Sequence, residues 1–114
     1  MKSVGEYSWQ KTLKSAHTFL KRWNGNAARL WHFQAPHCLM TLRIEKPFEE
    51  GNLHIRCGDP EFVHGPVFWN NCDIDVEVFT DESGEVFKYI VRDEKAGFEL
   101  RCETIEFAEN CKPL

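Results

Sequence analysis

The hydrophobic period changes once along this chain, and that change limits its fold more than any other feature. Over residues 8–24, Trp9, Leu13, Ala16, Leu20 and Trp23 recur at helical spacing on one stripe, with Phe19 at its margin. Lys11, Lys14, Thr18, Lys21 and Arg22 cover the other side. Ser8 can cap the start, and Asn24-Gly25-Asn26 offers a left-handed stop. From residue 28 onward the period is 2. A chain built this way has one helix, at its N-terminal end, with an apolar stripe to bury and a β-rich body to bury it against.

The strands follow from the alternation. Cys38, Met40, Leu42 and Ile44 share one side of the first clear run, and Leu53, Ile55 and Cys57 one side of the next, opposite His54 and Arg56. Cys72, Ile74, Val76 and Val78 alternate with Asp73, Asp75 and Glu77; Phe87, Tyr89 and Val91 alternate with Lys88, Ile90 and Arg92. Phe98, Leu100 and Cys102 oppose Glu99, Arg101 and Glu103, and residues 28–33 make a further strand. Each pattern predicts one buried and one wet face. The connectors at residues 46–52, 81–85 and 93–97 are short and carry turn residues, so successive strands pair antiparallel. The expected fold is α+β: one N-terminal amphipathic helix (about 8–24) on a twisted antiparallel sheet of five or six strands, as a roll or partly open barrel. The β-rich body spans about 28–107, with a loose C-terminal tail from residue 108.

At 114 residues the chain reads as a single domain, 1–114, able to bury a real core. Aromatic residues at 13% place it among folded globular proteins. No apolar run approaches the roughly 18 residues of a membrane span, and the first residues lack an apolar leader segment, so the expectation is a soluble cytoplasmic protein. Five cysteines, an odd count without paired spacing, predict reduced thiols. Charge is uneven: residues 1–31 carry six basic side chains against Glu6 alone, and the remainder eight basic against seventeen acidic. The acidic body argues against nucleic acid, and the apolar helix stripe is needed by the sheet rather than by a membrane surface. The acidic stripe Asp73, Asp75, Glu77 is expected to pair across strands with Lys88 and Arg92.

What looks chemical gathers between Cys57 and Cys72: Asp59, Glu61, His64, two Pro-containing turns, Phe62, Phe68, Trp69, Asn70 and Asn71. A metal site from Cys57, His64 and Cys72 is one reading. Against it, no C-x-x-C or H-x-x-x-H occurs, and strand parity makes Cys38, Cys57, Cys72 and Cys102 core positions. His54 and Cys57, three apart on a strand, face opposite ways. A Cys57–Cys72 disulfide fits the spacing but not the redox expectation. An enzyme with a pocket near His64 and Asp59 is a second reading, without any nucleophile or phosphate-loop motif behind it. The favoured reading is a non-catalytic binding or interaction domain. Its contact surface is the 58–71 loop, with Asp59, His64, Trp69 and Asn70 as ligand- or partner-binding residues, for a protein or small-molecule partner and no cofactor. The competing possibility is that the loop aromatics turn inward and plug the core.

Overall fold

The computed structural model describes residues 13–35, 38–46 and 51–111. Helix α1 spans Leu13–Trp23; the proposed cap Ser8 and the stripe member Trp9 lie outside the described residues. Ala16, Leu20 and Trp23 are buried as the stripe requires, and Phe19 stacks on Phe107 at 6.2 Å. The helix stops at the expected place. Gly25 takes φ +92°, a conformation costly for any side chain with a Cβ. Asn24 then acts as a strand would: its Nδ2 donates to Ile74 O (2.9 Å), and its Oδ1 accepts from Ile74 N (2.8 Å). Gly25 N donates to Cys72 O, and Cys72 N to Asn26 O, so the helix end is stitched to residues 72–74.

Nine strands follow among the described residues: β1 (Ala27–Gln34), β2 (Leu39–Glu45), β3 (Asn52–Gly58), β4 (Phe62–His64), β5 (Phe68–Trp69), β6 (Asp75–Thr80), β7 (Val86–Asp93), β8 (Phe98–Cys102) and β9 (Thr104–Cys111). All pairings among them are antiparallel. They form two sheets rather than one, ordered β5-β1-β2-β3-β9 and β4-β8-β7-β6, and neither closes into a barrel. Strand β9 begins just before the end of the expected β-body and runs through residues read as a loose tail. Its Ile105 and Phe107 are buried, and the alternation is plain in retrospect.

The two sheets share one core. On the inner side of the five-stranded sheet, register places Trp69, Ala28, Ile44 and Leu53 in one row, and Leu30, Leu42, Ile55 and Phe107 in the next. The four-stranded sheet contributes Val76, Val91 and Leu100 in one row, with Phe98 and Cys102 beside it. Cys57, Cys72 and Cys102 are buried free thiols, as parity predicts. Cys38 is not. It lies in a turn at φ +48° and is exposed, because β2 starts one residue later, at Leu39, and the alternation does not reach it.

The wet face expected for β3 is also absent. His54 is 1% exposed, as buried as Ile55. Strand β3 lies between β2 and β9; Arg43 of β2, directly opposite His54, is itself buried, and Arg56 pairs with Glu106 of β9 at 2.5 Å. The acidic stripe stays exposed and partly pairs as expected, Arg92 with Glu77 at 2.9 Å, while Lys88 turns instead to Glu61 at 2.5 Å. Among the described residues, no helix is long and apolar enough to cross a membrane.

Candidate site on the strap from Asp59 to Asn71

The segment between β3 and β6 crosses from one sheet to the other and supplies one outer strand of each. It leaves β3 through Asp59, held at φ +49° with its N–H donating to Cys38 O at 2.7 Å. Glu61 N then donates to Arg101 O, and β4 pairs with β8 through Phe62–Arg101, Val63–Leu100 and His64–Glu99. Gly65 makes the crossing. A Cβ there would lie 2.6 Å from Gly97 O and 2.7 Å from Phe98 Cα, so only glycine passes the β7–β8 turn. Val67 O accepts from Leu30 N at 2.8 Å, β5 pairs with β1, and Asn71 at φ +52° turns the chain toward β6.

Within this strap the aromatics divide. Trp69 points inward, 8% exposed, stacked on Phe98 with ring centres 4.7 Å apart. Its indole N–H donates to Asp93 Oδ2 at 2.7 Å. Asp93 is itself 1% exposed and also accepts from Asp73 N (2.8 Å) and Ala96 N (3.2 Å). Three N–H donors thus serve one buried carboxylate, which ties the strap, the start of β6 and the β7–β8 turn to one point. For Trp69 the plug reading describes the geometry. Phe62, Val63, Val67 and Phe68 are 43–66% exposed. Phe62 stands on the outer face of the four-stranded sheet with the Arg101 guanidinium 5.0 Å from its ring centre. Phe68 stands on the outer face of the five-stranded sheet, with Arg29 at 4.7 Å.

The remaining sequence-predicted residues do not converge. His64 is exposed and borders a cavity of about 300 Å³ with Phe62, Arg92, Asp93, Phe98 and Glu99. Asp59 is not among its lining residues. Glu99, opposite His64 in register, already accepts from Arg92 (2.9 Å) and Arg101 (2.8 Å); the Arg92 hydrogen bond, then that of Arg101, holds its pKa below the usual carboxylate range. Asn70 borders a separate cavity of about 460 Å³ with Asn26, Glu45, Lys46 and Asn71. A third, of about 410 Å³, lies between α1 and β6, lined by His17, Asn24, Asp75, Glu77 and Lys95, with His17 Nε2 3.5 Å from Asp75 Oδ1.

The metal grouping is not assembled. Cys57 lies against Cys102, whose hydrogen bond, together with burial, pushes its thiol pKa well up. Cys72 Sγ donates to Asn24 Oδ1 at 3.4 Å, and burial raises its pKa to about 11. Both thiols are inert at neutral pH, and His64 is out on the rim. Among the described residues, no three His, Cys, Asp or Glu side chains are placed to hold a metal ion. The disulfide does not form, since Cys57 and Cys72 are both free.

Two features carry no sequence signal of their own. Asp93 reads as an ordinary turn residue, and nothing in Asp-Glu-Lys-Ala-Gly announces a buried carboxylate. The outer row Phe68, Arg29, Arg43, His54 and Ala108 exists only through the register of β5, β1, β2, β3 and β9. Comparison with protein-family models, with curated proteins and with solved structures gave no match, so the residues themselves are the ground for any functional reading.

Proposed function

We propose that this is a non-catalytic binding domain whose contact surface is the 58–71 strap, and that it takes an extended segment of a protein partner along the rim. One observation carries the reading. A single segment forms one of the two outer strands of each sheet, unpaired on its far side among the described residues, and leaves Phe62, Val63, Val67 and Phe68 exposed along it. Outer strands present unpaired backbone N–H and C=O groups, and natural domains use them to add a strand from a partner. The exposed apolar surface is on the order of a few hundred Å², well below the roughly 800 Å² per partner of a stable globular interface, which favours a short segment. Arg101 over Phe62 and Arg29 over Phe68 place a guanidinium beside each exposed ring, so acidic side chains flanking apolar ones complement the surface.

In this reading Trp69 anchors the strap from below, and His64 and Asn70 border the rim. Catalysis at His64 has less support, because the carboxylate opposite it is committed to two arginines. Free thiols at Cys38, Cys57, Cys72 and Cys102 fit a reducing compartment such as the cytoplasm.

The test is selection of a phage-displayed library of random linear peptides against the purified domain. Apolar-acidic sequences are expected to enrich, and the corresponding synthetic peptide binds the wild-type domain. The Phe62→Ser/Phe68→Ser double variant keeps the wild-type Tm, since both side chains are exposed, yet weakens the peptide at least about tenfold. Equal binding by the variant, or no enrichment, removes the proposal.

A further inference from the structure

The outer face of the five-stranded sheet holds a second arrangement, independent of the strap's partner. Register places Arg29, Arg43 and His54 side by side on β1, β2 and β3. Glu45 is the carboxylate that serves this group, and a single oxygen, Oε1, takes the load: Arg29 Nε at 3.0 Å, Arg43 Nε at 3.0 Å and Arg43 Nη2 at 2.6 Å. Two guanidinium charges therefore share one carboxylate. The Arg43 side chain is 8% exposed, with the Trp31 ring centre 3.6 Å from its guanidinium carbon.

Two nitrogens in this group have no partner. Arg43 Nη1 and His54 Nε2 are both fully buried and make no hydrogen bond. A buried donor left unmade costs on the order of 1–3 kcal/mol, more for a charged group, so native structures seldom leave two together. Here the two belong to directly opposed residues of neighbouring strands, whose Cβ atoms in such pairs lie roughly 5 Å apart. The charge count has the same sense as the geometry: one positive charge in excess, beside two buried nitrogens able to donate.

We propose that Arg43 and His54 form a binding site for a small oxyanion, the carboxylate or phosphate group of a ligand, with Trp31 as its cover. Arg43 Nη1 donates to one oxygen, and the neutral His54 imidazole, in the tautomer with a proton on Nε2, donates to the same group. One negative charge balances the surplus guanidinium, and charge-assisted hydrogen bonds to a guanidinium are among the strongest available. Trp31 is placed where a cover would be. It sits at the register shift between Leu30 and His32, where β1 has an extra residue without a partner on β2, and it is only partly buried. The Arg29 guanidinium, 6.0 Å from the Trp31 ring centre, borders the same side.

A bound anion has a signature that a structural arginine lacks. Desolvation, then the nearby Arg43 charge, holds the His54 pKa down at about 4. An oxyanion at the site opposes that charge and raises the imidazole pKa. The experiment titrates the full chain with sodium phosphate and, separately, sodium acetate, each against sodium chloride at equal ionic strength. It follows Tm and the ¹⁵N signals of the His54 side chain. A saturable Tm rise of about 5 °C or more at tenfold above the half-saturating concentration is expected for at least one anion. Phosphate alone marks a phosphate site, and acetate alone a carboxylate site. The Arg43→Gln variant should lose the response while keeping that of chloride. If that variant does not fold, the wild-type His54 signals decide: a pKa raised by about one unit or more supports the site. Indifference of both Tm and the His54 pKa to phosphate and acetate overturns it, as does a full response in folded Arg43→Gln.

Discussion

The two outer faces of this molecule carry the same kinds of side chain and treat them oppositely. On the four-stranded sheet, Arg92 joins Glu77 and Glu99, Arg101 joins Glu99, and Lys88 joins Glu61, all at a surface where water screens them. Among them Ile90 is 2% exposed, on an outward position between Glu77 and Arg101 in register. On the five-stranded sheet, Arg43 and His54 are buried, Arg43 shares the Glu45 carboxylate with Arg29, and Arg43 and His54 each keep one nitrogen unpaired. Strand position does not make the difference, since Arg92, Glu99 and Arg101 also lie on the inner strands β7 and β8. Cover does: the Trp31 ring centre lies 3.6 Å from the guanidinium carbon of Arg43, whose side chain is 8% exposed, whereas that of Arg92 is 34% exposed. The same kinds of charged group therefore meet unequal energetics on the two faces, and among the described residues the unpaired buried nitrogens lie on the five-stranded one.

The shared core sets the scale against which both faces are measured. Replacing Trp69 by alanine removes the ring stacked on Phe98 and leaves buried Asp93 with one donor fewer. A loss of about 3–5 kcal/mol is expected in urea unfolding, as for other buried aromatic truncations. A loss below about 1 kcal/mol would show that the indole is a surface group, and would reopen the strap's inner end as a contact residue. The neighbouring Phe68→Ala, on the outer side of the same strand, should cost under about 1 kcal/mol.

Glu45→Ala tests the buried face directly. Both burial and hydrogen bonding act on Glu45: burial pulls its pKa up, and the bonds from Arg43 and Arg29 outweigh it and hold the carboxylate below its ordinary value. Its removal strands the Arg43 guanidinium without a counter-charge, and about 2–3 kcal/mol of stability should go with it. If unfolding shows no change, Arg43 must reach water in solution, and the contrast between the faces collapses.

Acid sharpens the same contrast. His54 is neutral when folded, with a pKa of about 4 against 6.5 for an ordinary histidine. A depressed folded pKa means that its stability is complete above pH 6.5 and is lost as pH falls toward 4, because the unfolded chain takes up the proton first. At about 1.4 kcal/mol per pKa unit, up to roughly 3 kcal/mol is lost across that window. His54→Gln should flatten the stability profile between pH 6.5 and 4. An unaltered profile in His54→Gln would place the titrating group elsewhere.

These contrasts explain which parts of the molecule were legible in sequence. Helix α1, its stop at Gly25 and the inward parity of Cys57, Leu100 and Cys102 depend on local periodicity, and local periodicity is written in the chain. The division into two sheets depends on where residues 59–71 cross, and β4 and β5 have three and two residues, too few for any period to register. His54 alternates correctly with Leu53 and Ile55, yet alternation says only that it faces the other way. Whether that side is wet depends on what lies beside it, here Arg43 and its neighbours from other strands. Trp69 and Asp93 are 24 residues apart, and their hydrogen bond follows from topology alone. Of the rim, sequence showed the concentration of aromatics but not which ones turn in.

The smallest effect belongs to the exposed face, and its smallness is informative. Glu99 joins Arg92 and Arg101, and so is the node of its network. Glu99→Gln keeps the shape and removes the charge. Exposed ion pairs offset little more than the entropy of holding long side chains in place, so Tm should move by no more than about 2 °C. Added salt should shrink even that difference, since water and ions reach every member of the network. Glu45→Gln, an identical change on the other face, should act with several times the effect and with little salt dependence, because Arg43 is screened by protein rather than by solvent. Two equal responses would mean that burial does not separate the faces. Unequal responses, the smaller salt-sensitive and the larger not, would tie the difference to the depth of Arg43 and not to the number of charges.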